Sequence, residues 1–481
     1  CSGACIVLPR NLLNNLGGFD DHYAPAYYED TDLAFRVRAE GLKVYVQPAV
    51  SITHFEGVSS GTDLASGTKR YQAVNREKFL ERWRDALGQQ PVPVSDPQDL
   101  AAVRQARDHR LRGRVLIIDA YTPEPDQDSG SVRLVNLMQC LLEMGYGVTF
   151  FADNRAWDGH YTRSLQGLGV EACYDPWLGS ASAFLRDRGS DFSHVMVSRH
   201  YIAGKYVSSL RKHAPQAKFI FDTVDLHFLR EERLAELEHS PALRQVAKQT
   251  RRAELGVIRA ADATLVVSDV ERDLLAEIVP QSAVFVLSNI HTLGADPKGF
   301  AQRRDLYFVG GYQHPPNIDA AQWFVEDIWP LIHQQLPDVQ FHLVGSKATD
   351  EVQQLGNAQG VKFHGFVDSL EPFLDGCRLS VAPLRYGAGV KGKVNQAMAH
   401  GQPVVATPAA VEGLHAVHGT DVLVAGTAAE FARAVVELYQ DETLWDRLSV
   451  NGRRNVEAHF SKAAAKRDIG ALFDALRDQT T

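Results

Sequence analysis

Apolar runs of four to six residues alternate with amphipathic stretches along most of the chain. Arg114 to Asp119 (RVLIID) is the first such run, and a polar loop and an apolar-faced helix follow it. That helix carries Val132, Leu134, Val135, Leu137, Met138, Leu141 and Leu142 and ends at Gly145. The runs GVTFFAD, VEACYD, HVMVS, KFIFDTV and ATLVVSD repeat the pattern. DLYFVGG, VQFHLVG, VKFHG, RLSVAPL, PVVAT and DVLVAG repeat it again after residue 300. Short strands that read as continuously apolar, separated by helices, predict parallel sheets covered on both faces. The expectation is an α/β protein with two Rossmann-like domains, at 114–292 and 293–460, facing a cleft. A last amphipathic helix at 461–481 crosses back to the first domain.

Residues 1–88 read differently. Cys5 to Leu8, Val44 to Val46 and Val50 to Ile52 are expected strands, and Thr31 to Glu40 an expected helix. Asp30 or Thr31 caps that helix and Gly41 closes it. The acids Glu29, Asp30 and Asp32 fit a helix N-terminus without any catalytic purpose. Residues 89–113 carry Pro91, Pro93 and Pro97, then a basic stretch, and read as a linker with a solvated helix.

Bulk properties narrow the function classes. The chain has 481 residues, enough for several cores. Its net charge of −9, 50 basic against 59 acidic residues, argues against a general nucleic-acid binder. Five scattered cysteines, with no C-x-x-C, fit a reducing compartment better than a disulfide framework or a zinc site. No run of about 18 apolar residues offers a membrane span. The chain starts at Cys1 without a visible signal peptide, which reads as a fragment of a longer protein.

The densest chemistry lies at 381–414, VAPLRYGAGVKGKVNQAMAHGQPVVATPAAVEGL. A strand, a glycine loop from Gly387 to Gly392, a helix and a second strand form a cradle for phosphate. A P-loop is excluded because Val394 stands where Ser or Thr must hold magnesium. A dinucleotide fingerprint is disfavoured, because Arg385 and Tyr386 separate strand from loop and the unit sits late in its domain. Lys391 and Lys393 at a helix N-terminus oppose its dipole unless an anion is present. In the first domain, FDTVDLHFLREER follows a strand and puts Asp222, Asp225, His227 and Arg230 at the cleft. Gly130, Arg133 and His200 sit at two other strand ends.

From RVLIIDAYTP onward, the segments Phe308-Val309-Gly310-Gly311, Pro316-Asn317-Ile318-Asp319-Ala320 and PLRYGAGVKGKVNQAMAHGQPVVATPAAVEGL resemble family 4 (group 1) glycosyltransferases of GT-B fold. The resemblance implies a nucleoside-diphosphate-sugar donor on the second domain and a glycan or lipid-linked glycan acceptor mostly on the first. It implies transfer with retention and no required metal or other cofactor. Donor contacts would fall on Gly310, Gly311, Arg385, Gly387, Gly389, Lys391, Lys393, Gln396 and Glu412. Asp225, His227 and His200 are the candidates to orient the acceptor hydroxyl. Two positions depart from the family, which has Glu where this chain has Ala388 and Gln396.

Residues 17–57, GGFDDHYAPAYYEDTDLAFRVRAEGLKVYVQPAVSITHFEG, resemble the C-terminal half of a family 2 glycosyltransferase of GT-A fold. The resemblance implies a general-base role for Asp30 and a pocket or metal-side role for His54 in a complete domain, with a divalent metal only there. This partial domain is expected to be inert on its own. The implied setting is bacterial surface-polysaccharide synthesis in the cytoplasm, with peripheral contact at the inner membrane face left open. A non-catalytic scaffold and an NAD(P)-binding oxidoreductase are the alternatives.

Overall fold

A computed structural model describes residues 3–47, 50–53, 67–294 and 297–478. The chain divides into two units, 1–99 and 100–481. The second therefore begins before the first long strand. Its opening helix, Leu100–Arg107, is anchored rather than solvated: Arg104 donates to Asp191 at 2.6 Å. Just beyond it, Asp108 pairs with Arg114 at 2.7 Å. Arg104 and Asp108 of the segment read as a linker thus fasten it to the first lobe.

In the first unit the described residues are helical, at Arg10–Asn15, Glu29–Ala39, Tyr71–Arg82 and Arg84–Gly88. The three strands expected here do not form among the described residues, and Val7, Tyr45, Val46 and Val50 are exposed. A strand needs a neighbour for its N–H and C=O groups, and no described residue of the unit supplies one. Asp32 organises what is present. It is fully buried and accepts from Trp83 Nε1 at 2.8 Å, Arg36 Nε at 2.7 Å and Tyr23 Oη at 3.3 Å. Asn75 donates to the carbonyls of Tyr23, Ala26 and Tyr27. That bracing holds Tyr27 and Tyr28 in the left-handed region, at φ 75° and 73°.

The second unit contains two all-parallel sheets. The first lobe comprises β1 (Arg114–Asp119), β2 (Gly147–Ala152), β3 (Glu171–Cys173), β4 (His194–Ser198), β5 (Lys218–Asp222), β6 (Ala263–Val266) and β7 (Val284–Val286). Their order is β3-β2-β1-β4-β5-β6-β7. The short edge strand β7 is the one the hydrophobic pattern missed.

The second lobe comprises β8 (Leu306–Val309), β9 (Phe341–Val344), β10 (Val361–Gly365), β11 (Leu379–Ala382), β12 (Val404–Ala406) and β13 (Leu423–Val424). Their order is β10-β9-β8-β11-β12-β13. In both sheets the order reverses beside the first strand, which opens a crevice at the strand C-termini. Leu116, Ile118, Val197 and Phe221 build one side of the first core, and Phe308, Val381, Val405 and Trp329 part of the second. The final helix, Lys462–Asp478, buries Ile469, Leu472, Phe473 and Leu476 in the first lobe's core. Lys466 pairs with Glu143 there.

Candidate functional site

The first lobe's contribution is built on the turn after β5. Val224 has φ 67°, a strained value for a β-branched residue. Two buried acids hold that turn. Glu271 accepts from the backbone N–H groups of Leu226 and Val267, each at 3.1 Å. Glu254 accepts from His227 N at 3.3 Å and Phe228 N at 3.0 Å, at the N-terminus of the His227–Leu237 helix. Burial raises the Glu271 carboxyl to about 7. Both acids read in the sequence as the polar faces of amphipathic helices, so no spacing rule singled them out.

Asp225 and His227 lie together at this turn. The His227 Nδ1 atom is 3.3 Å from an Asp225 carboxylate oxygen and 3.6 Å from Glu254. Burial disfavours charge on Asp225, yet Arg230, His227, Arg199 and His314 together keep its carboxyl below the ordinary range. Burial also opposes charge on His227, but Glu254 and Asp225 overcome it and raise the imidazole. His200, its Nδ1 3.8 Å from Glu254, is lowered by burial. Side-chain ligand atoms of His200, His227 and Glu254 lie within 4.8 Å of one another. A cation could use them, although both Glu254 oxygens already serve the helix N-terminus.

Arg133 and Gly130 have different surroundings. Arg133 forms a buried two-pronged pair with Asp222, at 2.7 and 3.0 Å, and donates to the carbonyls of Leu287 and Ser288. It fastens the helix after β1 to the ends of β5 and β7. Gly130 lies inside the first turn of that helix, whose N-cap Asp128 accepts from Ser131 N at 2.8 Å.

In the second lobe the glycine loop joins β11 to the helix Gly392–Ala399. Gly387 and Gly389 have φ 146° and 69°, conformations a side chain rarely adopts. Close approach to the first lobe is a second reason for glycine. A β-carbon on Gly392 would lie 2.6 Å from that of Ser129, and one on Gly389 would lie 3.1 Å from that of Asp225. Asn289 donates to Val390 O at 3.1 Å. Arg233 donates to Gly387 O at 2.5 Å and pairs with both carboxylate oxygens of Glu412, at 2.8 and 2.9 Å. The two lobes therefore meet directly over the loop.

Lys391 is buried and donates to two carbonyls of its own loop, Ala388 O at 2.8 Å and Gly389 O at 2.6 Å. Lys393 donates to the Asn317 amide oxygen at 2.7 Å and lies 4.2 Å from the Phe308 ring centroid. No described carboxylate comes within 4 Å of either ammonium. Burial lowers Lys391 to about 8, against the pull of Glu412, Asp225 and Glu271. Burial and the charge on Lys391 lower Lys393 to about 7. Two cations sit at a helix N-terminus with only neutral partners, the environment an incoming diphosphate would complete.

Arg385 contrasts with them: Asp319 holds it in a bidentate pair. Gln396 is half-buried one turn beyond Lys393. Gly310 and Gly311 end β8, where a β-carbon on Gly310 would strike Asn317 at 2.8 Å. Asn317 also donates to Gly311 O, so it links this turn to Lys393. His314, exposed at this turn, has its imidazole pushed down by the surrounding protein and by Arg230. Asn395, fully buried with neither amide atom partnered, lies one turn along from Lys391, and nothing in the sequence marked it.

In the first unit Asp30 stands in the first turn of its helix and accepts from the backbone N–H groups of Gly3 and Thr31. His54 lies outside the described residues.

Two parallel sheets with this strand order, a crevice between them and a C-terminal helix returning to the first define the GT-B architecture. Residues 303–441 match the family model described as Glycosyl transferases group 1. The chain is 26% identical over 177 residues to an uncharacterised 44.6 kDa protein in the cps region of Klebsiella pneumoniae, covering 35% of this chain and 45% of that one. It is 41% identical over 66 residues to the N-acetylglucosaminyl-diphospho-decaprenol L-rhamnosyltransferase of Mycobacterium tuberculosis, covering 14% and 21%. The chain thus spans less than half the length of either relative. The structure of Anabaena HepE in complex with UDP superposes with a TM-score of 0.58 at 15% identity, covering 75% of this chain and all of that one. Among the described residues no helix is long and apolar enough to cross a membrane.

Proposed function

We propose that the second unit transfers a sugar, with retention, from a nucleoside-diphosphate-sugar to a glycan or lipid-linked glycan in bacterial surface-polysaccharide synthesis. The observation that carries this reading is the pair Lys391, buried, and Lys393, half-buried, both lacking carboxylate partners at the N-terminus of Gly392–Ala399 and both pushed down from the ordinary lysine range. The diphosphate would lie against the Gly387–Gly389 backbone. The lysines would then stabilise the charge that develops as the nucleotide leaves. Gln396 and Glu412 would meet the nucleoside, beside Gly310 and Gly311. Glu412 must exchange Arg233 for ligand, which ties donor entry to movement of the lobes. Asp225 and His227, facing the loop from the other side, would orient the acceptor hydroxyl. Metal is unnecessary where cationic side chains neutralise the leaving group.

The relatives in the cps region and among lipid-diphosphate rhamnosyltransferases support the polysaccharide setting, and HepE binds UDP on the same architecture. A 66-residue relationship is too short for two sheets, and a rhamnosyltransferase suits the family 2 resemblance of residues 1–88. Asp30 would be that domain's base, and a cytoplasmic, membrane-peripheral location follows from a lipid-linked acceptor. The test is a thermal-shift panel of UDP-, GDP- and dTDP-sugars beside NAD(P). Stabilisation by one nucleotide-sugar series is expected. Stabilisation by NAD(P) alone would reassign the chain to the oxidoreductases, and no response to any nucleotide would make it a scaffold.

A further inference from the structure

We propose that the C-terminal edge of the first sheet, from β3 to β5, is an aromatic track that binds a neutral oligosaccharide several sugars long, its reacting end at Asp225 and His227. This deepens the transferase reading above and rests on it. The observation is where aromatic rings are exposed. Among the described residues of the second unit, the exposed Phe, Tyr and Trp side chains are Tyr121, Trp157, Trp177, Tyr201 and Phe366. Four of the five belong to the first lobe, and each follows the C-terminus of a strand: Tyr121 after β1, Trp157 after β2, Trp177 after β3 and Tyr201 after β4. Trp177 is 83% exposed and Tyr121 65%. These rings gather at the strand C-termini of one sheet, the end where ligands bind in open α/β folds.

The sheet order turns these positions into a line. Read along β3-β2-β1-β4-β5, the row runs Trp177, Trp157, Tyr121, Tyr201 and then His227. Four strand spacings make roughly 19 Å, about the length of four hexose units. At the inner end Tyr201 meets His227 edge-on, with centroids 5.9 Å apart, and farther out Trp157 is braced by Tyr174, tilted at 4.6 Å, and by Arg163 over its ring. The inner end is therefore continuous with the imidazole beside Asp225.

The chemistry favours sugars. A pyranose ring has an apolar C–H face and a polar rim, matching flat exposed rings set among hydrogen-bonding loops. An anionic lipid surface fits poorly at the loop after β1, where carboxylates crowd together: burial raises Glu124 above its ordinary range, and Asp158, Asp126 and Asp128 raise it further, against the pull of Lys347. The same crowding disfavours uronate-bearing glycans and leaves neutral ones.

The test uses the full chain with three probes: a ladder of neutral oligosaccharides of increasing length, the matching uronate-bearing ladder, and vesicles containing anionic lipid. Binding is read by tryptophan fluorescence and calorimetry, with UDP titrated in parallel. We expect affinity for neutral glycans to rise with length up to about four sugars. W157A and W177A should each lower it about tenfold while leaving UDP affinity unchanged. Tighter binding to the uronate ladder or to vesicles, or affinity independent of length and of both tryptophans, overturns the track. UDP binding without glycan binding overturns it while leaving the transferase reading intact. Glycan binding without UDP binding keeps the track and sinks the transferase reading.

Discussion

The two sheets share a strand order but treat charge at their C-terminal ends in opposite ways. In the first lobe nearly every buried ion at the crevice has a partner: Arg133 with Asp222, Arg199 with Asp119, and His227 with Asp225 and Glu254. In the second, buried Lys391 and half-buried Lys393 rest against carbonyl and amide oxygens alone. A buried charge costs free energy unless it is compensated. The paired lobe therefore carries its chemistry as structure, whereas the second lobe keeps a deficit that an anion relieves. Arg385, paired with Asp319, shows that the second lobe also supplies a carboxylate beside a cation.

The contrast is broken most severely at Arg133. Asp222→Ala would strand a buried guanidinium and should cost about 3–5 kcal/mol in chemical denaturation. K391M/K393M should leave the unliganded protein as stable or more so, because it removes cations without orphaning an acid. An equal loss in both variants would erase the distinction between the lobes.

A pH series sharpens it. Lys391 and Lys393 are held near 8 and 7, against about 10.4 in an unfolded chain. Above about pH 7 the unfolded chain binds more protons than the folded one, so stability must rise with pH through that window. The unliganded protein should gain about 2 °C in Tm between roughly pH 7 and 8.5. Neither K391M/K393M nor the UDP-saturated protein should show this gain.

Arg233→Ala removes the bridge to Glu412 and Gly387 and is expected to cost under about 1 kcal/mol, since both partners are partly exposed. Its larger signature is an increase in radius of gyration by X-ray scattering as the lobes part. Arg385→Ala should change stability by less than about 0.5 kcal/mol and leave nucleotide affinity within about twofold. A large loss of affinity there would move the anion toward Arg385.

The parallel sheets were legible because buried strands read as unbroken apolar runs such as RVLIID and HVMVS. The glycine loop was legible because it interrupts that pattern with two lysines. Less was legible where tertiary contacts decide. Glu254 and Glu271 look like ordinary solvent-facing acids until the turn after β5 closes over them. Arg233 shares a helix face with Arg230, a spacing that could have suggested a paired role, but its partner lies 179 residues away. Among the described residues of 1–88 the expected strands do not form, because β-propensity without a neighbouring strand has no hydrogen bonds to make.

The central claim is that Lys391 and Lys393 hold the diphosphate, and calorimetric titration of UDP tests it most directly. Titrations near pH 7.5 in buffers of different ionisation enthalpy should show binding with net proton uptake, since an anion raises both lysines from about 8 and 7. K391A/K393A should bind at least about 100-fold more weakly and take up no proton. Equal affinity in the two proteins, or wild-type binding without proton uptake, would contradict the account.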